Sequence, residues 1–260
     1  MKKLSPAATA MLRRVASNVF YPLLAFGIVL AVWAIAAAAE GNPLVLPMPD
    51  VALRAVFRLG GEEGFWSAVG WSLLRTLICF AVSMAAALLF AVAGALWKPV
   101  YKTIAPIIGF LRAAPTVAVI LVLYAFLANR TLAVVVGFLV AFPLMFAAFY
   151  GALTGVDPDL IEMLRIYKVG RRDVVCSLYV PAATDCLFKN GGATLSLTLK
   201  VVVAAEILTS VSDSIGMGIK VANSTFEIAY LLGWTLVAIA FSLALEGAFA
   251  IGRRLWEARR

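Results

Sequence analysis

Between Asp159 and Pro181 an otherwise oily chain carries charges at regular spacing. Glu162, Arg165 and Lys168 recur at every third residue, which places them along one flank of a helix. Leu160, Ile161, Leu164 and Tyr167 form an apolar face beside them. Asp157 and Asp159 supply negative charge at the helix start, where backbone N–H groups are unpaired and the dipole favours anions. Gly170 is expected to break this helix, and a second one from Arg171 to Tyr179 is expected to end before Pro181. The chemistry open to such a passage is non-covalent: ion pairs and apolar contacts in the groove of a soluble partner. Rest on a membrane surface is the other reading, and periodicity alone leaves the two open.

A second pair of ionisable residues stands inside an apolar run. Lys200 is surrounded by Leu195, Leu197, Leu199, Val201 and Val202, and Glu206 follows six residues later. Charge is costly within a membrane and turns toward a bundle interior or a watery path. Lys200 can therefore meet an anionic substrate in a path, line a gate, or pair with a carboxylate of another helix. Six residues turn a helix by about 240°, which argues against a same-helix pair with Glu206. Arg75 and Arg112 are expected near span ends, with their side chains reaching the headgroups. Glu246 and Arg253, seven residues apart, are expected to touch near the inner surface.

Other chemistries find no residues. The chain has no histidine, and its cysteines (Cys79, Cys176, Cys186) follow no metal-ligand spacing, so no metal site and no cofactor are expected. The cytoplasmic placement of Cys176 and Cys186 is reducing, and no disulfide is expected. A phosphate-cradling Gly-x-x-x-x-Gly-Lys-Ser/Thr loop is lacking; Gly216-Met-Gly-Ile-Lys220 imitates it in composition only. No catalytic residues are expected.

These residues must be positioned by membrane helices. Of 260 residues 63% are hydrophobic and 14% charged, too oily for a soluble core. Six apolar runs are long enough to cross a bilayer: about 19–39, 72–96, 104–128, 131–154, 190–209 and 228–252. The fold class is thus an all-α membrane protein with six transmembrane helices. The first run is longer than the core of a cleaved signal, although its Ala36–Ala39 end leaves cleavage open. Leu46-Pro-Met-Pro-Asp50 marks a kinked entry to a short interfacial helix through Arg58, capped by Asp50. On that helix Val51, Leu53, Ala55, Val56 and Leu59 can lie on the bilayer. Trp33, Trp66, Trp71, Trp97, Trp234 and Trp256 fall mostly near span ends and read as interfacial anchors.

Lysine and arginine orient the chain in the cell membrane. With both termini cytoplasmic, the inner segments hold Lys2, Lys3, Arg13, Arg14, Lys98, Lys102, Arg165, Lys168, Arg171, Arg172, Lys189, Arg253, Arg254, Arg259 and Arg260. The outer segments hold Arg54, Arg58, Arg130 and Lys220. This is the asymmetry the positive-inside rule requires. The net charge of +8 reports orientation and contact with anionic membrane lipids; spread over separate loops, it is no nucleic-acid footprint. The boundaries follow: 1–18 a cytoplasmic N-terminus, 19–252 a six-helix transmembrane domain with a cytoplasmic loop at 155–189, and 253–260 a cytoplasmic tail.

The loop resembles the EAA loop of membrane subunits of ATP-binding-cassette importers, whose pattern is Glu-Ala-Ala, three residues, Gly, nine residues, Ile-x-Leu-Pro. Glu162 takes the glutamate position and Leu178-Tyr-Val-Pro181 the end. Met163 and Leu164 replace the alanines, and Lys168 replaces the glycine, with Gly170 two residues on. Other matches extend the resemblance to permeases of nitrate, taurine, alkanesulfonate and thiamine-precursor importers. Leu46-Pro-Met-Pro49, Ser72-Leu-Leu-Arg75, Phe110-Leu-Arg-Ala-Ala-Pro115, Val202-Val-Ala-Ala-Glu206 and Gly216-Met-Gly218 resemble their Leu-Pro-Ser-Pro, Ser-Leu-x-Arg, Leu-Arg-Pro-x-Pro, Val-Ala-Ala-Glu and Gly-Leu-Gly in order.

The resemblance implies a type I importer permease fold whose cytoplasmic loop is a coupling loop, and a non-catalytic subunit. Implied partners are a dimer of ABC ATPase subunits, an extracytoplasmic solute-binding protein and a second permease copy forming a homodimer around a central path. ATPase coupling then falls to Asp159, Glu162, Arg165, Lys168, Gly170, Arg171 and Pro181, with Lys200 and Glu206 as path candidates. The solute would be a small one: an anion such as a sulfonate or nitrate, or a vitamin precursor. A secondary transporter or channel-like protein without an ATPase is the alternative. A co-purifying ATPase separates the two.

Overall fold

The computed structural model describes residues 6–258, and all of its regular structure is helical. Lys2, Lys3, Arg259 and Arg260 lie outside the described residues, as do the side chains of Arg13, Arg14, Asn129 and Arg130. In chain order the helices are α1 (Pro6–Glu40), α2 (Pro49–Leu59), α3 (Phe65–Leu96), α4 (Lys98–Ala113), α5 (Thr116–Tyr124) and α6 (Asn129–Thr154). There follow α7 (Pro158–Ile166), α8 (Arg171–Val174), α9 (Val180–Thr209), α10 (Ile215–Ser224) and α11 (Ile228–Glu257). Among the described residues five helices are long and apolar enough to cross a membrane, or six if α4 and α5 count as one bent span.

The bend falls within the expected third span at 104–128. Pro115 has no N–H to donate, and its ring holds Ala114 in an extended conformation (φ −68°, ψ 131°). The helix therefore breaks there and turns by 95°. At nine residues α5 is about 14 Å long and cannot cross a bilayer by itself.

The bundle is built around α9, which packs against α3, α5, α6, α10 and α11. Close approach depends on small residues. A Cβ on Gly137 of α6 would sit 2.6 Å from the Cys79 sulfur of α3 and 3.2 Å from Val202 of α9, so this glycine lets three helices meet. Most remaining apolar side chains point outward, as a hydrocarbon solvent permits. Helix α1 is nearly free of its own bundle: 6% of its most apolar window is buried.

Two local expectations change. Asp50 does not cap α2; Met48 holds the cap position, while Asp50 lies in the first turn and bonds Arg54 at 2.9 Å. Nor does α2 lie wholly on the bilayer. Ala52, Ala55 and Leu59 are buried, with Ala55 and Leu59 against Gly233 of α11, while Val51 and Leu53 are exposed. Trp234 is a core residue and not an anchor, its ring 5.1 Å from that of Phe65. Trp66 does stand exposed, donating to the Gly60 carbonyl at 3.1 Å.

Candidate functional site

Three features bear on function: the charged island, the long helix rising from it, and a buried polar cluster at that helix's far end. In the island, Asp157 caps α7 by accepting from the Asp159 N–H at 2.9 Å, and Pro158 takes the first helical position, where a missing N–H costs nothing. No residue of α7 is buried; Leu164 is half-buried, and Ile166 and Tyr167 are 71% and 76% exposed. Pro158, Ile161, Glu162, Arg165 and Ile166 line an open groove of about 590 Å³ on one side of it. Glu162 and Arg165 make no ion pair among the described residues. The groove thus offers an apolar floor with one charge of each sign.

The break after α7 comes two residues earlier than expected. Lys168, at the glycine position of the EAA pattern, carries the left-handed conformation (φ 54°). The Lys168 and Val169 N–H groups then reach back to the Arg165 and Leu164 carbonyls, closing the helix end. Gly170 has ordinary extended angles (φ −60°, ψ 146°) and caps α8, where Arg171 begins the next helical run. Pro181 likewise terminates nothing. Its ring would clash with the Ser177 carbonyl and it has no N–H to donate, so Val175–Tyr179 widens into a π-helical turn and the Val180 N–H bonds Val175. The expected second helix therefore runs on without a stop, from Arg171 through Thr209, 39 residues.

At the far end of this rod lies a cluster whose members belong to three separate sequence motifs. The Glu206 carboxylate is fully buried and takes hydrogen bonds from Arg75 Nη1 at 2.8 Å, the Ser72 hydroxyl at 2.8 Å and the Gly216 N–H at 3.3 Å. The Ser72 hydroxyl in turn accepts from the Ile215 N–H at 3.0 Å, and Arg75 reaches the Asp213 carbonyl at 3.4 Å. The N-terminus of α10 thus points at the carboxylate, as its dipole favours. Gly216 is obligatory there: a Cβ would lie 2.4 Å from that of Glu206 and within 2.8 Å of α9 backbone. Arg75 is accordingly no headgroup-seeking residue. It is 93% buried, with the Trp71 ring 6.0 Å away. The missed partner had a signal: an arginine and a glutamate within apolar spans each need a counter-charge.

Lys200 stands apart from this cluster. It is exposed, and it makes no ion pair among the described residues. The stripe Lys189, Ala193, Leu197, Lys200 and Leu208 is exposed, with Ala204 half-buried, one face of α9 that its own chain leaves open. At the end of α11, Arg253 bonds Glu257 at 2.7 Å, so the expected Glu246–Arg253 contact is replaced by one a single turn away. Glu246 is exposed, its backbone against Gly192. No group of three or more potential metal ligands occurs among the described residues.

Comparison with known proteins agrees with this architecture. A family model described as binding-protein-dependent transport system inner membrane component matches residues 88–255, well over half of the chain. The chain is 26% identical over 233 residues to the taurine transport system permease protein TauC of Escherichia coli (strain K12), covering 86% of this chain and 83% of that protein. It is 26% identical over 200 residues to the nitrate import permease protein NrtB of Synechocystis sp. (strain ATCC 27184 / PCC 6803 / Kazusa), covering 74% and 72%. Its fold is shared with a crystal structure described as an amino acid ABC transporter with histidines, at a TM-score of 0.61 and 16% identity over 76% of this chain and 94% of the other. The chain belongs to the binding-protein-dependent transport system inner membrane components, the permease subunits of ATP-binding-cassette importers.

Proposed function

We propose that the chain is one half of a two-fold permease that carries a small solute across the membrane and moves in response to a separate ATPase dimer. The observation that carries this reading is the helical run from Arg171 to Thr209. It joins an exposed, groove-bearing island at one end to the buried Arg75–Glu206 cluster at the other. At 1.5 Å per residue the run is about 58 Å long, and a rigid helix of that length transmits displacement from one membrane face to the other.

In this reading the 155–189 segment is the coupling loop and is cytoplasmic, as are residues 1–18 and 253–260. Asp159 and the Asp157 cap fix the start of α7. Glu162 and Arg165 meet complementary charges in the ATPase groove, with Ile161 and Ile166 seated between them. Lys168 and Gly170 shape the turn that delivers Arg171, and Pro181 with its π turn sets the angle at which α9 enters the membrane. Lys200 faces the path. Glu206, with both oxygens held inside its own subunit, clamps α3, α9 and α10 together and acts on the path by position.

The family implies that ATP hydrolysis belongs to a partner subunit and that a solute-binding protein delivers the cargo. Two copies are needed because one chain of five or six spans leaves the α9 stripe uncovered. Among solutes, relatives named for taurine and nitrate favour a small sulfonate or inorganic anion over a vitamin precursor. Purification of the tagged chain from its native membrane with its co-transcribed partners tests the reading. An ATPase and two permease copies are expected; a stable, transporting protein with no ATPase would refute it.

A further inference from the structure

Lys200 lies near the middle of the apolar part of α9, and its neighbours on the exposed stripe are Ala193, Leu197, Ala204 and Leu208. An ammonium there cannot face hydrocarbon at low cost, and at mid-depth its stem is too short to reach the headgroups. The face it occupies must therefore be wet or covered by another subunit. α9 is also the most enclosed of the five straight spans among the described residues, with 67% of its apolar window buried, so this stripe is a narrow opening in a helix otherwise sealed by five neighbours. Two-fold pairing of such stripes puts two Lys200 side chains at one depth.

We propose that this pair of lysines makes the path selective for small solutes of net negative charge, and selects against zwitterions. The inference rests on the two-fold permease reading above. Lysine is a compact point charge with three rotatable donors, suited to an oxyanion of any geometry. The stripe offers nothing for a positive group on the same solute. The neighbouring carboxylate of α9, Glu206, is buried and already bonded to Ser72, Arg75 and Gly216. Glu246 of α11 lies beside Gly192, eight residues or about 12 Å along the axis from Lys200. A nitrate or simple sulfonate is matched by this site, whereas the ammonium of a zwitterionic aminosulfonate would be left beside two like charges.

The test uses Leu197→Cys, one turn from Lys200, in the full complex with its ATPase in lipid nanodiscs. Cys176→Ser removes the exposed native thiol, and Cys79 and Cys186 are buried. Reaction rates are compared for a sulfonate-bearing and a trimethylammonium-bearing methanethiosulfonate, with Lys200 intact and as Lys200→Gln; Ala193→Cys serves as a second reporter. Both reagents should react, and Lys200→Gln should lower the anion-to-cation rate ratio by about tenfold. Reaction with an unchanged ratio would overturn the charge selectivity and leave the path reading intact. If both reporters fail to react with both reagents, the stripe is closed to water, in lipid or under the second copy, and the path reading falls with the selectivity.

Discussion

Lys168 holds a conformation that costs an L-residue about 1–2 kcal/mol, at the position where the EAA pattern keeps glycine. The pattern's glycine thus has a physical reason in this chain: the turn after α7 needs a left-handed residue there. Lys168→Gly should relieve the strain, less the extra chain entropy of glycine, and slow amide exchange in α7 about threefold; unchanged exchange would mean the turn carries no strain. Arg75 and Glu206 make a stronger case. Arg75→Met leaves a buried carboxylate without its cation and should destabilise the protein by about 3–5 kcal/mol, read as a large drop in thermal midpoint. The double variant Arg75→Met, Glu206→Gln should recover much of it, because the uncompensated charge is gone. An undisturbed Arg75→Met protein would contradict the cluster. The need for counter-charges was legible beforehand but the pairing was not: the partners lie 131 residues apart, in motifs that nothing in the sequence connects.

At the scale of elements, glycines in one chain differ by what surrounds them. Gly216→Ala places a methyl against Glu206 and α9 backbone that cannot move aside, and should unseat α10 and lower the yield of monodisperse complex sharply. Gly247→Ala, in open space on α11, should be neutral or stabilising by up to about 1 kcal/mol. Equal yields from both would show that α10 does not pack as described. The helices themselves were readable, since apolar runs of membrane length specify their own hydrogen bonding. Their interruptions were less so. Gly170 and Pro181 looked like stops because those residue types usually are, yet the turn falls on Lys168 and the π turn absorbs Pro181. Pro115 does break its span, through Ala114, a bend that hydropathy over 104–128 does not register.

For the whole molecule, composition disclosed a multi-pass membrane protein, and the spacing from Glu162 to Pro181 carried the resemblance on which the proposed coupling rests. The exposed α9 stripe needed the fold, because exposure on a central helix depends on five neighbours. Sidedness is checked by cysteine labelling in intact cells: Ser212→Cys should label from outside and Arg172→Cys only after permeabilisation, and outside labelling of Arg172→Cys would invert the topology. Coupling through the island is the central claim, and Glu162→Lys tests it most directly. The side chain is exposed and makes no ion pair among the described residues, so the substitution should leave folding and insertion intact. In the proposed docking it would also turn an attractive contact into a like-charge one at the groove, where misplaced charge costs several kcal/mol. The decisive measurement is ATPase retained on the purified variant, alongside transport by the same membranes. Loss of both from a fully inserted protein is the expected result; retention of ATPase with normal transport would show that the island is a surface loop and not the point of coupling.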